Sequence, residues 1–235
     1  METVSNPDPE GSARLPDPDT REILRYMGYR GKPAGSELLG EIGECVRDLQ
    51  KVVTPRYVYE RFPLERKERE EGETLCFADL EVVSRDLSKN LEDCSEVCLM
   101  AVTLGTGPDL LVRRASVTRM SRALIYQAAA AAMTETLSDM INERIRGEAQ
   151  REGLYTRPRF SPGYGDLPLS LQRDISRILN MPKEIGVSLT DTLLMTPSKS
   201  VTALIGLSET PKDCREGRCK ECEAREDCPY RAEAT

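Results

Sequence analysis

The chain has 235 residues, a formal net charge of −7, eight cysteines and no histidine or tryptophan. Without histidine it cannot form a Ser-His-Asp triad, a Cys-His pair or a metal site with imidazole ligands. The acidic balance is unlike the basic footprint of a nucleic-acid-binding protein, so we expect no nucleic-acid partner. Any metal site must therefore be built from cysteine thiolates or carboxylates.

The N-terminal segment, residues 1–19, contains acids and prolines but no apolar run. We expect it to be disordered and not to be a signal peptide. The longest apolar stretch, Ala123–Met133, is interrupted by Gln127 and is shorter than the roughly 20 residues that span a bilayer. We therefore expect a cytoplasmic chain with no membrane partner, in which thiols stay reduced.

Apolar periodicity predicts a mixture of helices and strands in the first hundred residues. In chain order they are a helix from Thr20 to Gly28, a helix over Glu37–Val53 capped by Ser36, a strand over Arg56–Phe62, β-structure over Leu75–Val83 and a short helix over Ser88–Asp93. The charged run Glu65–Glu73 between the strands is interpreted as a solvated turn.

The second half of the chain begins with a continuous apolar run that predicts a central strand. The predicted elements are this strand (Val97–Leu104), the longest helix (Ser116–Gly147), a helix over Ser170–Leu179, and strands over Leu189–Met195 and Val201–Leu207 joined as a hairpin. Helices and strands do not alternate regularly. The sequence therefore predicts an α+β domain over residues 20–208, with a mixed or antiparallel sheet packed by helices.

After Ser208 the composition changes to charge and cysteine, and residues 209–235 are predicted to form a metal-binding tail. Its cysteines follow the pattern C-x4-C-x2-C-x5-C and are Cys214, Cys219, Cys222 and Cys228. Four thiolates this close can bind one tetrahedral ion or one cubane cluster. The single C-x2-C knuckle favours a [4Fe–4S] cluster over structural zinc, while zinc and a tail without metal stay open.

The most specific polar segment is the loop Arg159–Asp166, whose sequence is R-F-S-P-G-Y-G-D. Its Pro-Gly pair at Gly163 predicts a tight turn. Arg159 can bind a carboxylate through two N–H groups, and Tyr164 offers an aromatic face. The loop can therefore hold an amino-acid carboxylate and a flat base. The alternative is a structural turn in which Arg159 pairs with a local acid such as Asp166.

Five consecutive alanines, Ala128–Ala132, lie in the longest predicted helix. The positions that share one helical face are Ala128, Ala131, Ala132 and Glu135. Small side chains on this face would let a flat macrocycle rest against the helix, with Glu135 at a polar edge. The alternative is close packing of the helix on the sheet.

The loop resembles the R-x-x-x-G-Y motif of the activation, or reactivation, domain of cobalamin-dependent methionine synthase. The helix Leu137–Arg146 ahead of the loop and the segments Ile185–Thr190 and Met195–Val201 after it are also similar to that family. The resemblance covers roughly residues 75–207. It is closest to stand-alone members with a cysteine-rich tail that ends in C-P-Y-R, as Cys228–Arg231 does here.

The resemblance implies that Arg159 holds the methionine carboxylate of S-adenosylmethionine, that Gly163 and Tyr164 line the adenosyl site, and that Glu135 faces a corrinoid-bearing partner. It implies reactivation of that partner, methionine synthase or a related corrinoid methyltransferase, by reductive methylation of cob(II)alamin. The partner would carry the cobalamin, and a flavodoxin or ferredoxin is the candidate electron donor.

In that interpretation the chain is the activation component of a cobalamin-dependent methyltransferase of the methionine synthase type, and it contributes no catalytic residue of its own. Two alternatives stay open. The first is a non-catalytic module that binds a corrinoid protein or S-adenosylmethionine and has a structural zinc or iron–sulfur tail. The second is a metal-binding interaction protein defined by its tail.

Overall fold

A computed structural model describes residues 3–5, 15–29, 33–69 and 72–211. The strands are β1 (Val4–Ser5), β2 (Arg56–Pro63), β3 (Glu65–Arg69), β4 (Gly72–Phe77), β5 (Leu80–Val83), β6 (Glu96–Thr103), β7 (Tyr155–Thr156), β8 (Ser188–Leu189), β9 (Met195–Thr196) and β10 (Ser200–Ser208). The helices are α1 (Thr20–Tyr26), α2 (Ser36–Gln50), α3 (Arg85–Asn90), α4 (Gly107–Thr118), α5 (Met120–Arg151), α6 (Leu171–Ile178) and α7 (Met181–Glu184).

The largest sheet of the described residues has the strand order β1-β2-β6-β10-β7, and every pair in it is antiparallel. β6 pairs with β2 on one side and with β10 on the other, as the continuous apolar run predicts for a central strand. Smaller antiparallel sheets join β3, β4 and β5, and join β8 to β9. The predicted α+β class, with an antiparallel sheet packed by helices, is confirmed.

Each face of the large sheet is covered by its own apolar core. Cys98, Met100 and Val102 of β6 belong to a core shared with α1, α2 and α5. The alternate β6 residues, Val97, Leu99 and Ala101, belong to a core shared with α3, α6 and α7. Because side chains alternate across a strand, a strand buried on both faces must be apolar at nearly every position, as β6 is.

The helix α5 is 32 residues long and packs on α1, α2, α4 and the sheet. Among its consecutive alanines, Ala128, Ala129, Ala130 and Ala132 are buried and Ala131 is half-buried. Close packing of the helix therefore explains most of the alanine run, while Ala131 and Glu135 reach the surface. No helix of the described residues, α5 included, is long and apolar enough to cross a membrane.

One predicted turn and one predicted hairpin are wrong. The run Glu65–Glu73, predicted as a solvated turn, contains β3 and the start of β4. These strands form an antiparallel hairpin, and charged side chains pair across it, as Arg66 does with Glu73 at 2.7 Å. The expected hairpin of Leu189–Met195 with Val201–Leu207 does not form, since β9 pairs with β8 and β10 enters the large sheet. The reason is that β10 is buried at nearly every position. A strand of a two-stranded hairpin would leave one edge and one face exposed, whereas in the large sheet β10 has a strand on each side and an apolar core on each face.

Several element boundaries also differ from those predicted. The short helix begins at Arg85 because the Ser84 hydroxyl caps it by accepting the N–H of Leu87 at 3.1 Å. The longest helix begins at Met120 because Arg119 has an extended backbone that separates it from α4. The N-cap of α2 is Gly35, and no side chain caps that helix.

The described part of residues 1–19 contacts the folded domain. Val4 and Ser5 form β1 on the edge of the large sheet, opposite Tyr59 and Val58. Leu15 is buried. The expectation of a disordered segment is therefore wrong for these residues, because their backbone and apolar groups find partners in the sheet and the core.

The segment that leads into the Arg159–Asp166 loop is an extension of the sheet. β7 pairs with the end of β10, and the N–H of Arg157 donates to the carbonyl of Gly206 at 2.7 Å. Phe160 then exchanges two backbone hydrogen bonds with Leu204, at 2.9 and 2.8 Å. The position of Arg159 is therefore set by backbone pairing with β10.

The far end of the loop is fixed on the N-terminus of α3. Asp166 accepts the Ser84 hydroxyl at 2.5 Å and the N–H groups of Arg85 and Asp86 at 2.8 and 3.2 Å. Its own N–H donates to the Asp86 carboxylate at 3.1 Å. The Ser84 hydroxyl, followed by the backbone donors, lowers the pKa of the Asp166 carboxyl. Gly165 has a φ of +53°, and a Cβ there would lie 2.0 Å from Asp86 Oδ2.

We predict that Asp166→Ala lowers the urea midpoint of unfolding at pH 7. The folded-state pKa of Asp166 is lowered, so its stabilising effect is present above the ordinary carboxyl pKa of about 4 and is lost as the pH falls through the folded value. The difference between wild type and variant should therefore shrink towards pH 2. Asp191→Ala, at an exposed position outside the loop, is the control. An equal difference at both pH values would show that the carboxylate charge is not what fixes the loop.

Candidate functional site

The side chain of Arg159 reaches from the loop to α5. Its Nη2 donates to Glu135 Oε2 at 3.2 Å and to Asp139 Oδ1 at 2.8 Å. Glu135 and Asp139 are four positions apart, so one helical face presents both carboxylates. The structure therefore brings together two predicted site residues, Arg159 and Glu135. The alternative in which Arg159 pairs with Asp166 is wrong, because Asp166 binds the start of α3.

One guanidinium nitrogen of Arg159 has no hydrogen-bond partner among the described residues. This atom, Nη1, is buried and donates to no described acceptor, although the side chain as a whole is 22% exposed. A buried N–H group without an acceptor costs about 1–3 kcal/mol, so this donor favours a ligand that supplies an oxygen. With two carboxylates beside the guanidinium, the site presents both signs of charge over a short distance. That arrangement is complementary to an α-amino acid, which carries a carboxylate and an ammonium group.

Gly163 and Tyr164 form the predicted turn. Gly163 has a φ of +90°, where a side chain is strained, and a Cβ would lie 3.3 Å from Leu169 Cδ1. Its N–H donates to the carbonyl of Leu167 at 3.0 Å, and the N–H of Tyr164 donates to that of Ser161 at 3.2 Å. The Tyr164 residue is 69% exposed, so its ring is available for stacking on a flat group.

A second aromatic side chain near the site is Tyr26, at the end of α1. Burial, followed by the negative charge of Glu135, raises the pKa of the Tyr26 hydroxyl. The Arg25 guanidinium lies over the Tyr26 ring, 4.4 Å from its centroid. Sequence reasoning missed Tyr26 because only the packing of α1 on α5 brings it to Glu135. Sequence reasoning also missed Asp139. Its position four residues after Glu135, which puts both carboxylates on one helical face, was a usable signal.

The predicted metal ligands, Cys214, Cys219, Cys222 and Cys228, lie outside the described residues. Within residues 3–5, 15–29, 33–69 and 72–211, no group of three or more cysteines or carboxylates is placed to hold a metal ion. Cys45 and Cys98 are buried, and burial raises the pKa of both thiols. They therefore act as small apolar side chains in the core.

A surface cavity of about 630 Å³ lies elsewhere, beside β2 and the C-terminal half of α5. Five of its lining residues pair with one another. The Tyr59 hydroxyl donates to Glu148 at 2.8 Å, and Arg61 forms ion pairs with Glu96 at 2.9 Å and Glu152 at 2.7 Å. Because these charges are already paired, the Arg159 cluster, whose Nη1 donor has no described partner, is the better candidate for ligand binding.

Comparisons with known proteins give a family for this chain and a solved structure with a similar fold. The family model of the vitamin B12-dependent methionine synthase activation domain matches residues 54–226. The fold is similar to that of a crystal structure of the MetH reactivation domain bound to AdoHcy, with a TM-score of 0.66 and 20% identity, covering 91% of this chain and 80% of that one. No curated protein sequence matches the chain. Because the family model spans well over half of its residues, the chain belongs to the family of vitamin B12-dependent methionine synthase activation domains.

Proposed function

We propose that this chain binds S-adenosylmethionine at the Arg159 cluster and reactivates a partner corrinoid protein by reductive methylation of cob(II)alamin. The observation that carries the proposal is the buried Nη1 of Arg159, which lies beside two carboxylates and has no partner in the described part of the chain. Two further findings support it: the family is named for the activation of a B12-dependent enzyme, and the structural neighbour is bound to AdoHcy, the demethylated form of this methyl donor.

The residues of the cluster fit the amino-acid end of the donor. Arg159 Nη1 is available to the ligand carboxylate, and Glu135 and Asp139 supply negative charge for its ammonium group. We assign Tyr164 and the open turn at Gly163 to the adenosyl group, since an exposed ring can stack on a base. The resemblance implies that Glu135 faces the partner protein. We propose that Glu135 also binds the ammonium group of the ligand.

The chain's contribution is position and electrostatics. S-adenosylmethionine supplies a methyl group on a sulfonium, and the partner's cobalamin accepts it together with one electron. No proton moves in that transfer, so the absence of histidine from the chain is no obstacle. Arg159 and its two carboxylates fix one end of the donor and leave the sulfonium end for the partner.

The proposed docking face for the partner is the exposed part of α5 around Ala131 and Glu135. Ala131 is the half-buried member of the alanine run, and Glu135 is exposed one helical turn further along. A small side chain at Ala131 lets a flat surface approach the helix closely. This face leads directly to Arg159, because Glu135 is one of its ion-pair partners.

We propose that the tail binds a metal through Cys214, Cys219, Cys222 and Cys228. With a [4Fe–4S] cluster the tail could relay the electron from a flavodoxin or ferredoxin at the place where methylation occurs. With zinc it would be structural. The irregular spacing of the cysteines supports the cluster.

The direct test of the function is methylation of a cob(II)alamin partner protein with methyl-labelled S-adenosylmethionine and a low-potential reductant. We expect label on the partner's cobalamin only when this chain is added. If the chain binds S-adenosylmethionine but never supports transfer to any corrinoid partner tested, it is a non-catalytic binding module.

We predict that Arg159→Gln raises the Kd for S-adenosylmethionine at least tenfold, as measured by calorimetry. A hydrogen bond to a charged group contributes about 1.5–3 kcal/mol, and tenfold corresponds to about 1.4 kcal/mol. Arg173→Gln, which removes a guanidinium whose described contact is the carbonyl of Asp191, should leave the Kd unchanged. Equal Kd values for wild type and Arg159→Gln would rule out this cluster as the binding site.

We predict that Ala131→Trp slows methylation of the partner at least tenfold without changing the Kd for S-adenosylmethionine, because the bulk obstructs docking on α5. Met140→Trp is the matched control, since helical spacing puts it on the other side of the same helix and Met140 is exposed. Thermal unfolding of both variants checks the fold. Undiminished methylation by folded Ala131→Trp would exclude this face as the docking surface.

We predict about four iron atoms per chain in anaerobically purified protein, with the brown colour of an iron–sulfur cluster. Replacing Cys214, Cys219, Cys222 and Cys228 by serine should abolish both the colour and the reduction-dependent activation. Binding of S-adenosylmethionine should be kept, because the Arg159 cluster lies in the folded domain. A colourless protein with one zinc per chain would refute the cluster and leave a structural tail.

A further inference from the structure

A buried acceptor lies on the same face of α5 as the two carboxylates that bind Arg159. The Oδ1 atom of Asn142 is buried and has no hydrogen-bond partner among the described residues. Asn142 follows Asp139 by three positions and Glu135 by seven, and residues at these spacings share one side of a helix. A buried acceptor without a donor is costly, so this oxygen favours a ligand that supplies an N–H or O–H group.

Helix geometry directs the amide of Asn142 towards the Arg159 cluster. The Cα–Cβ bonds of a helix tilt towards its N-terminus, so the Asn142 side chain lies over the preceding turn, which carries Asp139. Side chains three positions apart start from Cβ atoms about 5–6 Å from each other. Asp139 Oδ1 in turn accepts Arg159 Nη2 at 2.8 Å. A small group that contacts Asp139 can therefore also reach the Asn142 oxygen.

Exposure decreases along this face of α5. Glu135 and Asp139 are exposed, whereas Asn142 is half-buried. α5 packs against β7, and Arg159 follows the end of β7 by three residues, so this part of the helix lies beside the segment that carries Arg159. A neutral acceptor suits the more covered position, because a third carboxylate there would be costly to desolvate and would repel the other two.

Arg159 and Asn142 provide open groups of opposite kind. Arg159 Nη1 is a buried donor and Asn142 Oδ1 a buried acceptor, and each is without a partner in the part of the chain that the structure describes. An α-amino acid supplies both complements, a carboxylate and an ammonium group. The ammonium has three N–H donors, and the helix face offers three acceptor side chains on successive turns, those of Glu135, Asp139 and Asn142.

We propose that Asn142 is a further ligand-binding residue, whose Oδ1 accepts a hydrogen bond from the α-ammonium group of S-adenosylmethionine. The inference rests on the proposed binding of S-adenosylmethionine at the Arg159 cluster, but not on methyl transfer or on docking of a partner. It makes the site selective for an intact amino acid, since a ligand without the ammonium group leaves the Asn142 oxygen without a donor.

The test is calorimetry on the full chain with two ligands. One is AdoHcy, which has the same amino-acid end as S-adenosylmethionine, and the other is its desamino analogue, in which hydrogen replaces the ammonium group. We expect Asn142→Leu to raise the Kd for AdoHcy roughly tenfold, the factor expected for one hydrogen bond to a charged group. Its Kd for the desamino analogue should stay within about twofold of wild type, because that ligand has no donor to lose.

Asn142→Asp and Asn90→Leu are the matched controls. Asn142→Asp keeps an acceptor oxygen at the same place, so its Kd for AdoHcy should stay within about threefold of wild type. Asn90 ends α3, on the other face of the large sheet, and its Oδ1 is also buried without a described partner. Asn90→Leu should leave both Kd values unchanged. If Asn142→Leu does not fold, Asn142→Ala takes its place with the same expected loss, since alanine suits a helix.

The outcomes distinguish the role of Asn142 from the binding site as a whole. Equal Kd values for AdoHcy in wild type and the folded Asn142→Leu or Asn142→Ala variant would overturn the role of Asn142 alone. An equal loss of affinity for both ligands would also overturn it, because the ammonium group would then not be what Asn142 contacts. Wild type that binds neither S-adenosylmethionine nor AdoHcy would overturn the proposed site, and the role of Asn142 with it.

Discussion

The antiparallel pairing of β10 with β6 is the contact on which the rest of the structure depends. It places β10 between β6 and β7, where both of its faces are covered by apolar cores. Phe160 pairs with Leu204 of β10 through two backbone hydrogen bonds. This pairing fixes the backbone beside Arg159, whose side chain contacts Asp139 of α5. Moving β10 into the predicted hairpin would leave its apolar side chains without a core and the loop without a support.

The segment that follows β7 carries two arginines with different surroundings. Arg159 is partly exposed and forms ion pairs with Glu135 and Asp139. The side chain of Arg157 is buried, and among the described residues it donates only to the carbonyl of Thr210. Burial makes the Arg157 charge costly to desolvate, whereas water and two carboxylates solvate the charge of Arg159.

Sequence reasoning found the elements whose signal is local. The apolar run of β6, the long periodic helix α5 and the Pro-Gly turn at Gly163 are properties of neighbouring residues, and the structure confirms each of them. It failed where distant contacts decide the outcome. The charged run of β3 forms a strand because β4 offers partners for its charges, and Val4 and Ser5 form a strand because β2 leaves an edge to pair with.

The sequence by itself determined the α+β class, the motif residues Arg159, Gly163 and Tyr164, and the impossibility of histidine chemistry, because residue types, spacing and family motif are carried by the chain directly. Only the tertiary structure decided that Arg159 pairs with Glu135 and Asp139 and not with Asp166, and that Arg157 is buried without a described anion. These outcomes depend on which faces of the sheet and helices meet. That is settled by the burial of apolar surface over the whole domain, which no local pattern records.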